Sequence, residues 1–332
     1  MKSYFKLTAV AALALLLVSS CGEKPGGNGN DSANNQPPVP RVAAPLFSYD
    51  SAYAHIKTQV EFGPRVPGTA AHAKCADWLT DKLKSYGLTV SRQEAPIALP
   101  NGQPVQLKNI FAAYKPERSE RILLLAHWDS RAIADRDTAR KDQAIDGAND
   151  GASGVGVLLE IARVLQLKDP NIGVDILLVD AEDQGNNGSE NSWCLGAQYW
   201  AANKPKNYNA RFGILLDMVG APGAIFPQEG SSVVMAPQIV DKVWNAAAAL
   251  GFINIFVNEQ TGPTTDDHVP INQIALIPTI DIVHYDPDQN DYFPHHHRHT
   301  DNLSAIEKST LKVVGTVVLD VVYNEIPAGP LK

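Results

Sequence analysis

Cysteine and positive charge are scarce in this sequence. Three cysteines, Cys21, Cys75 and Cys194, stand among 332 residues, and their spacing makes no Cys-based metal motif. Lysine and arginine number 28 against 36 aspartates and glutamates, a net charge of −8. That balance argues against non-specific nucleic-acid binding and gives no reason to expect an anionic partner. No internal repeat is present. The apolar stretch near the start, residues 7–18, is too short to span a bilayer comfortably. What remains is 44% hydrophobic and 19% charged, ordinary for a globular chain and ample for a large core.

The first 45 residues fall outside the expected fold. Lys2 and Lys6 precede the apolar run, which ends in Leu17-Val18-Ser19-Ser20-Cys21. Small residues before a cysteine resemble a bacterial lipobox, which makes residues 1–20 a lipoprotein signal peptide and Cys21 a lipid-bearing N-terminus on the periplasmic side of a bacterial membrane. An ordinary signal peptide with a coincidental cysteine is the alternative. Residues 21–45 are rich in Gly, Asn, Pro and Ser without apolar periodicity, which reads as a flexible tether. Residues 46–332 read as one catalytic domain. Cys75 and Cys194 are expected as free, partly buried thiols, although an exported protein permits a disulfide.

Within the domain, helical spacing marks residues 48–62 and 69–86, and the turn Pro100-Asn101-Gly102 joins two strand-like segments, 88–99 and 107–114, into a hairpin. Alternation then sets in. Buried strands are expected at 121–126, 174–179, 212–216 and 279–283. Helices are expected from Asp150 as a cap, at 197–202, at 237–250 and at 306–323. This predicts an α/β three-layer sandwich with a central mixed, mostly parallel sheet, the hairpin adding antiparallel strands at one edge.

Ligands of open α/β sheets bind beyond the strand carboxyl ends. His127 and Asp129 follow the first such strand, Glu182 and Asp183 the second, and Asp217 the third; Asp150 sits at a helix start and His299-Thr300-Asp301 near the end. One aspartate at a helix start is usually a cap, and one histidine after a strand is usually an ordinary loop residue. Together they form a cluster of acids that would repel itself unless a divalent cation compensates it, and oxygen and imidazole donors without thiolate suit Zn²⁺. Consecutive residues cannot all face one ion, so the run His295-His296-His297 reads as mostly exposed.

As an ordered set, His127-Trp128-Asp129, the segment around Asp150, Asp180-Ala181-Glu182-Asp183, Leu216-Asp217 and His299-Thr300-Asp301 resemble the zinc-dependent aminopeptidase-like α/β exopeptidases. In that family His127, Asp150, Asp183, Asp217 and His299 would match metal ligands and Glu182 the general base. The segments Leu215-Leu216-Asp217-Met218-Val219-Gly220-Ala221-Pro222, Thr265-Asp266-Asp267-His268-Val269-Pro270 and Ser192-Trp193-Cys194 are similar to glutaminyl-peptide cyclotransferases of the same fold group. With the lipobox, the resemblance is to a bacterial lipoprotein branch of the animal-like type. It implies one zinc held by Asp150, Asp183 and His299, a second at His127 and Asp217 remaining open.

The resemblance further implies a substrate, peptides and proteins with N-terminal glutamine. It assigns Glu182 to proton transfer, Asp217 and Asp266 to catalysis as substrate-orienting acids, and Trp193 to an apolar wall. Asp281 would stand where the animal site carries an inward-facing imidazole that meets substrate, and Arg298 where those enzymes carry a tryptophan before the last zinc histidine. A zinc-dependent aminopeptidase is the alternative, with Glu182 acting on a zinc-bound water. A non-catalytic binding lipoprotein would have no need of Glu182 beside an intact ligand set.

Overall fold

The apolar run of residues 174–179 became the middle of a sheet buried on both faces. A computed structural model describes residues 41–326 of the chain. The expected signal peptide, Cys21 and the expected tether up to residue 40 lie outside the described residues. Residues 41–45, expected to belong to the tether, are tied to the domain: Arg41 pairs with Asp320, the Val42 amide donates to Asn324 Oδ1 (2.7 Å), and Lys168 donates to the Ala43 carbonyl (2.7 Å).

Two helices come first, α1 (Tyr49–Glu61) and α2 (Ala70–Ser85), capped by the Ser48 and Thr69 hydroxyls. The hairpin follows as β1 (Thr89–Ala98) and β2 (Pro104–Tyr114), closed by a turn in which Gly102 takes φ 85° and Asn101 Oδ1 accepts from the Gln103 amide. Next come β3 (Arg121–His127), α3 (Ala152–Leu165), β4 (Gly173–Val179), α4 (Leu195–Asn203) and β5 (Gly213–Asp217). The remainder is β6 (Phe226–Gln228), α5 (Gly230–Met235), α6 (Pro237–Ala249), β7 (Phe256–Gln260), α7 (His268–Gln273), β8 (Thr279–Val283), β9 (Tyr285–Asp286), β10 (Asp291–Tyr292) and α8 (Lys308–Asn324). Sequence reading missed the short elements β6, β7, β9, β10, α5 and α7.

The main sheet has the order β1-β2-β4-β3-β5-β8. Its first two pairings are antiparallel and the rest parallel, as expected for an edge hairpin on a parallel core. Successive residues of the central strands serve opposite layers, which is why they read as unbroken apolar runs. Ile122, Leu124, Ile176, Leu178, Ile214 and Leu216 join the core under α1, α3, α6 and α8. Leu123, Leu125, Leu177, Val179 and Leu215 join the core under α4 and the end of α7. From β3 the chain crosses to β4 on one side, and from β5 it goes on to β8 on the other. The connections therefore diverge between β3 and β5, a switch point that leaves a crevice at their carboxyl ends. Among the described residues, no helix is long and apolar enough to cross a membrane.

Candidate active site

Beyond those carboxyl ends lies a pocket of about 480 Å³, lined among others by Asp150, Glu182, Asp183, Trp193, Asp217 and Asp266. Each strand end supplies its group by a distinct local device. After β4, Ala181 adopts left-handed backbone (φ 53°), which breaks the strict alternation of an extended chain. The buried carboxylate of Asp129 then accepts the amides of both Glu182 (3.1 Å) and Asp183 (3.3 Å). Two adjacent acids are thereby aimed at one pocket. The third acid of the stretch, Asp180, faces away and is part of the scaffold, accepting from His72 Nε2 (2.9 Å), the Lys108 amide (2.7 Å) and the Ala181 amide (2.8 Å).

Asp150 does not cap α3. The N-cap is Gly151, at φ 85°, where a Cβ would lie 2.8 Å from the Asp129 carbonyl oxygen. The loop before it is held from behind. Arg65, fully buried, donates to the carbonyls of Asp146 and Gly147, and Asp301 accepts the amides of Asn149 (2.8 Å) and Asp150 (3.1 Å). The Asp150 side chain is left free for the pocket. Its Oδ1 lies 3.1 Å from His127 Nε2, which lies 3.1 Å from Asp217 Oδ1 as well.

The histidine that meets these acids is His297. The expected ligand, His299, is half-buried on the outer side of its loop, its amide bound to Asp137 and its Nε2 3.1 Å from the Arg140 carbonyl. The backbone at His297 is left-handed (φ 56°) and turns that ring inward. Its Nε2 lies 3.0 Å from Asp183 Oδ1 and 3.8 Å from Asp150 Oδ2, while Nδ1 faces Asp135 Oδ1 at 3.2 Å. Asp135 thus accepts from the Nδ1–H, so that Nε2 faces the acids and would meet a cation held among them with its lone pair. His296 has the opposite tautomer. Its Nδ1 accepts from Arg136 at 2.8 Å, so its Nε2 carries the hydrogen. The expectation that the three-histidine run is mostly exposed is corrected for His296 and His297. The residue before the inward-facing histidine is therefore His296, where the sequence reading had Arg298.

Asp281 is also misplaced by the sequence reading. It is fully buried and does not line the pocket. It lies behind Asp266, with Asp266, His268 and Asp281 bringing polar atoms within 4.8 Å of one another. Burial pushes both carboxyls above their ordinary range, and repulsion from Asp266 adds to the shift of Asp281. Asp281 sits against Asp266, one layer behind the pocket wall.

Trp193 lines the pocket and stacks near-parallel on His297 (9°, centroids 5.9 Å apart). The Arg131 guanidinium lies 4.7 Å from the indole. Gly185 is required here, since a Cβ would come within 2.1 Å of the ring. Arg131 also grips both Asp135 oxygens at 2.9 Å and donates to the Asp183 carbonyl at 2.8 Å. Arg131, Asp135, His297 and Trp193 form a closed circuit. Sequence reading missed the first three, because Arg131 and Asp135 sit in a charged loop with no pattern to single them out.

The electrostatics are those of a site short of positive charge. Burial, reinforced by Asp183, Asp266 and Asp267, raises Glu182 well above its ordinary range despite the pull of His127. Burial likewise pushes Asp217 up to about 7 and Asp301 up to about 8. Asp150 Oδ2 and Asp183 Oδ2 are buried without a hydrogen-bond partner. Orphaned carboxylate oxygens beside an imidazole with its lone pair inward fit a bound Zn²⁺, and Asp150, Asp183 and His297 could hold it. His127, Asp150 and Asp217 also converge within 4.8 Å. Both cysteines of the described residues are buried and free.

Known proteins resemble the chain over most of its length. The chain matches a Bacteroides thetaiotaomicron glutaminyl cyclase bound to N-acetylhistamine (47% identity, TM-score 0.84), covering 86% of this chain and 100% of that one. A Tannerella forsythia glutaminyl cyclase matches at 49% identity and TM-score 0.83, covering 85% and 100%. A leucine aminopeptidase precursor from Bacteroides thetaiotaomicron matches at 46% and 0.83, covering 86% and 100%. The chain spans about half the length of the curated relatives it matches, 52% of Escherichia coli YfbL and 45% of the Bacillus subtilis aminopeptidase YwaD. A model of peptidase family M28 matches residues 109–322, through all the strands that build the pocket floor, and the chain belongs to that family.

Proposed function

We infer that the protein is a zinc-dependent glutaminyl-peptide cyclotransferase, converting N-terminal glutamine of peptides and proteins to pyroglutamate with release of ammonia. The observation that carries this reading is the match, at 47% and 49% identity and over the whole of those chains, to solved glutaminyl cyclases. The pocket chemistry suits it. The substrate's α-amine must attack its own γ-carbonyl carbon, closing a ring as the carbon–nitrogen bond to the leaving amide nitrogen breaks. Bound zinc would supply a Lewis acid for the γ-carbonyl oxygen and offset the surrounding acids.

The protein's own groups do the rest. Glu182, placed at the pocket with a high proton affinity, takes one proton from the amine and delivers it to the leaving nitrogen, so that ammonia departs and the carboxylate is restored. Asp217 and Asp266 face the same space and orient the substrate by hydrogen bonds, holding amine and carbonyl in reach of each other. Trp193 supplies an apolar wall that excludes water from one side. We assign one zinc to Asp150, Asp183 and His297.

Incubation with a Gln-initiated dipeptide and with a leucine anilide, together with metal counting, tests this reading. Ammonia release with one zinc per chain and no anilide cleavage is expected. Anilide cleavage requiring two metals overturns it in favour of an aminopeptidase, the second reading, which the convergence of His127, Asp150 and Asp217 favours. In the first reading His127 braces Asp150 and Asp217 and holds no ion. We further propose that Cys21 carries a lipid that anchors the protein to the periplasmic side of a bacterial membrane. The support is the pattern of residues 1–21. A Cys21→Ser chain that still partitions with membranes overturns the anchor.

A further inference from the structure

The acid at the centre of the proposed chemistry is held more lightly than its neighbours. Asp129 is fixed by two amides and Asp217 by His127, while Asp183 faces His297. Among the described residues, the Glu182 side chain has a single hydrogen-bond partner, the thiol of Cys194, whose Sγ lies 3.5 Å from Oε1. That thiol is built into the frame that presents Glu182. The Cys194 amide donates to the Glu182 carbonyl (3.0 Å), and the Leu195 amide donates to the Ala181 carbonyl (3.2 Å). Cys194 takes left-handed backbone (φ 57°), as Ala181 does across from it. Such a conformation costs a non-glycine residue energy and persists where the surroundings over-determine it. Gly196 then brings α4 so close that a Cβ would stand 2.1 Å from the Asp180 carbonyl oxygen. Donor and acceptor are therefore clamped to each other through the main chain.

We propose that Cys194 is a positioning residue for the cyclisation, its S–H donating to Oε1 of Glu182 so that the other carboxylate oxygen faces the substrate. This rests on the cyclase reading, with Glu182 as the base. The choice of a thiol has a physical reason. S–H is a weak donor, so it fixes the rotamer while stabilising the carboxylate anion little. A guanidinium or amide donor in its place would fix Glu182 equally well and make it a poorer base. Burial, reinforced by Glu182, keeps the thiol protonated, so it remains a donor. Cys194 keeps its proton throughout. The only proton that moves is the one Glu182 carries from the amine to the leaving nitrogen.

Two measurements test the assignment. With zinc-loaded enzyme and a Gln-initiated dipeptide, Cys194→Ala is expected to lower kcat about tenfold, the loss of one hydrogen bond to a charged group. KM should stay within about twofold, with zinc content and thermal stability unchanged, and Cys194→Ser should recover most of the rate. In the zinc-free chain, the infrared S–H stretch reads the contact without any activity. Cys75 is buried, with no hydrogen bond found among the described residues, and serves as the reference thiol. The Cys194 band, identified by its loss in Cys194→Ala or by its isotope shift if that variant does not fold, should lie below that of Cys75. In Glu182→Ala it should move up to meet it. Coincident bands in the wild-type chain overturn the proposal, as does a Cys194→Ala enzyme of wild-type kcat, or equal impairment of the Ala and Ser variants with lowered stability. If the wild-type chain releases no ammonia, the cyclase reading fails, while the infrared shift still decides whether the thiol holds Glu182.

Discussion

Strand β4 carries buried acids near both of its ends, and the two ends are finished differently. At the amino end, Asp175 is closed off by its own chain: Arg121 Nε donates to it at 2.7 Å and the Tyr208 hydroxyl at 2.9 Å. At the carboxyl end, Asp150, Asp183, Asp217, Asp266 and Glu182 gather around His127 and His297, and two carboxylate oxygens are left without partners. Both clusters are buried. Only the first is neutral by its own residues. A buried charge that the chain itself compensates is architecture, whereas one left uncompensated marks where something else is to bind. The contrast separates an acid that holds the fold from acids that serve the reaction.

That contrast can be broken from either side. The largest effect is expected at the open end: Glu182→Gln should keep zinc and lose about 10²–10⁴-fold in ammonia release; a variant that stays active removes Glu182 from proton transfer. At the closed end, Arg121→Ala should cost about 3–5 kcal/mol in denaturant unfolding, because Asp175 is left buried and unpaired. The double variant Arg121→Met with Asp175→Leu should recover most of that, and neither should alter zinc content. A single Arg121 variant as stable as wild type would show that Asp175 needs no partner. Next comes Asp135→Asn, expected to weaken zinc affinity about 10–100-fold by releasing the His297 ring, read by competition with a chelating dye. Smallest is His299→Ala, expected within about twofold of wild type in activity, whereas His297→Ala should bind no zinc. If the two histidine variants exchange behaviours, the ligand assignment is reversed.

The sheet was legible because every residue of β3, β4, β5 and β8 is buried, so composition alone marks them, and for β8 the expected and observed limits coincide. The pair β6 and β7 escaped notice because three and five residues carry too short a pattern, and their pairing joins segments about thirty residues apart. Glu182, Asp183 and Asp217 were legible for a related reason: each stands where an apolar run stops. The histidine was not. In His295-His296-His297-Arg298-His299 the residue types are nearly uniform, and the choice among them is made by one left-handed dihedral and by Asp135 and Arg136, which give neighbouring rings opposite tautomers. No one-dimensional pattern records either. Asp281 was located on the correct strand, but its depth behind Asp266 depends on packing that spacing does not encode.

The stacking of Trp193 on His297 has an optical consequence. An indole lying 9° from parallel to an imidazole shares its excited-state surroundings with that ring, and a cation bound to the ring would alter them. Loading and unloading of the centre should therefore be written in the emission of one tryptophan, with no dye or substrate added. The side chain that walls the pocket doubles as its own gauge.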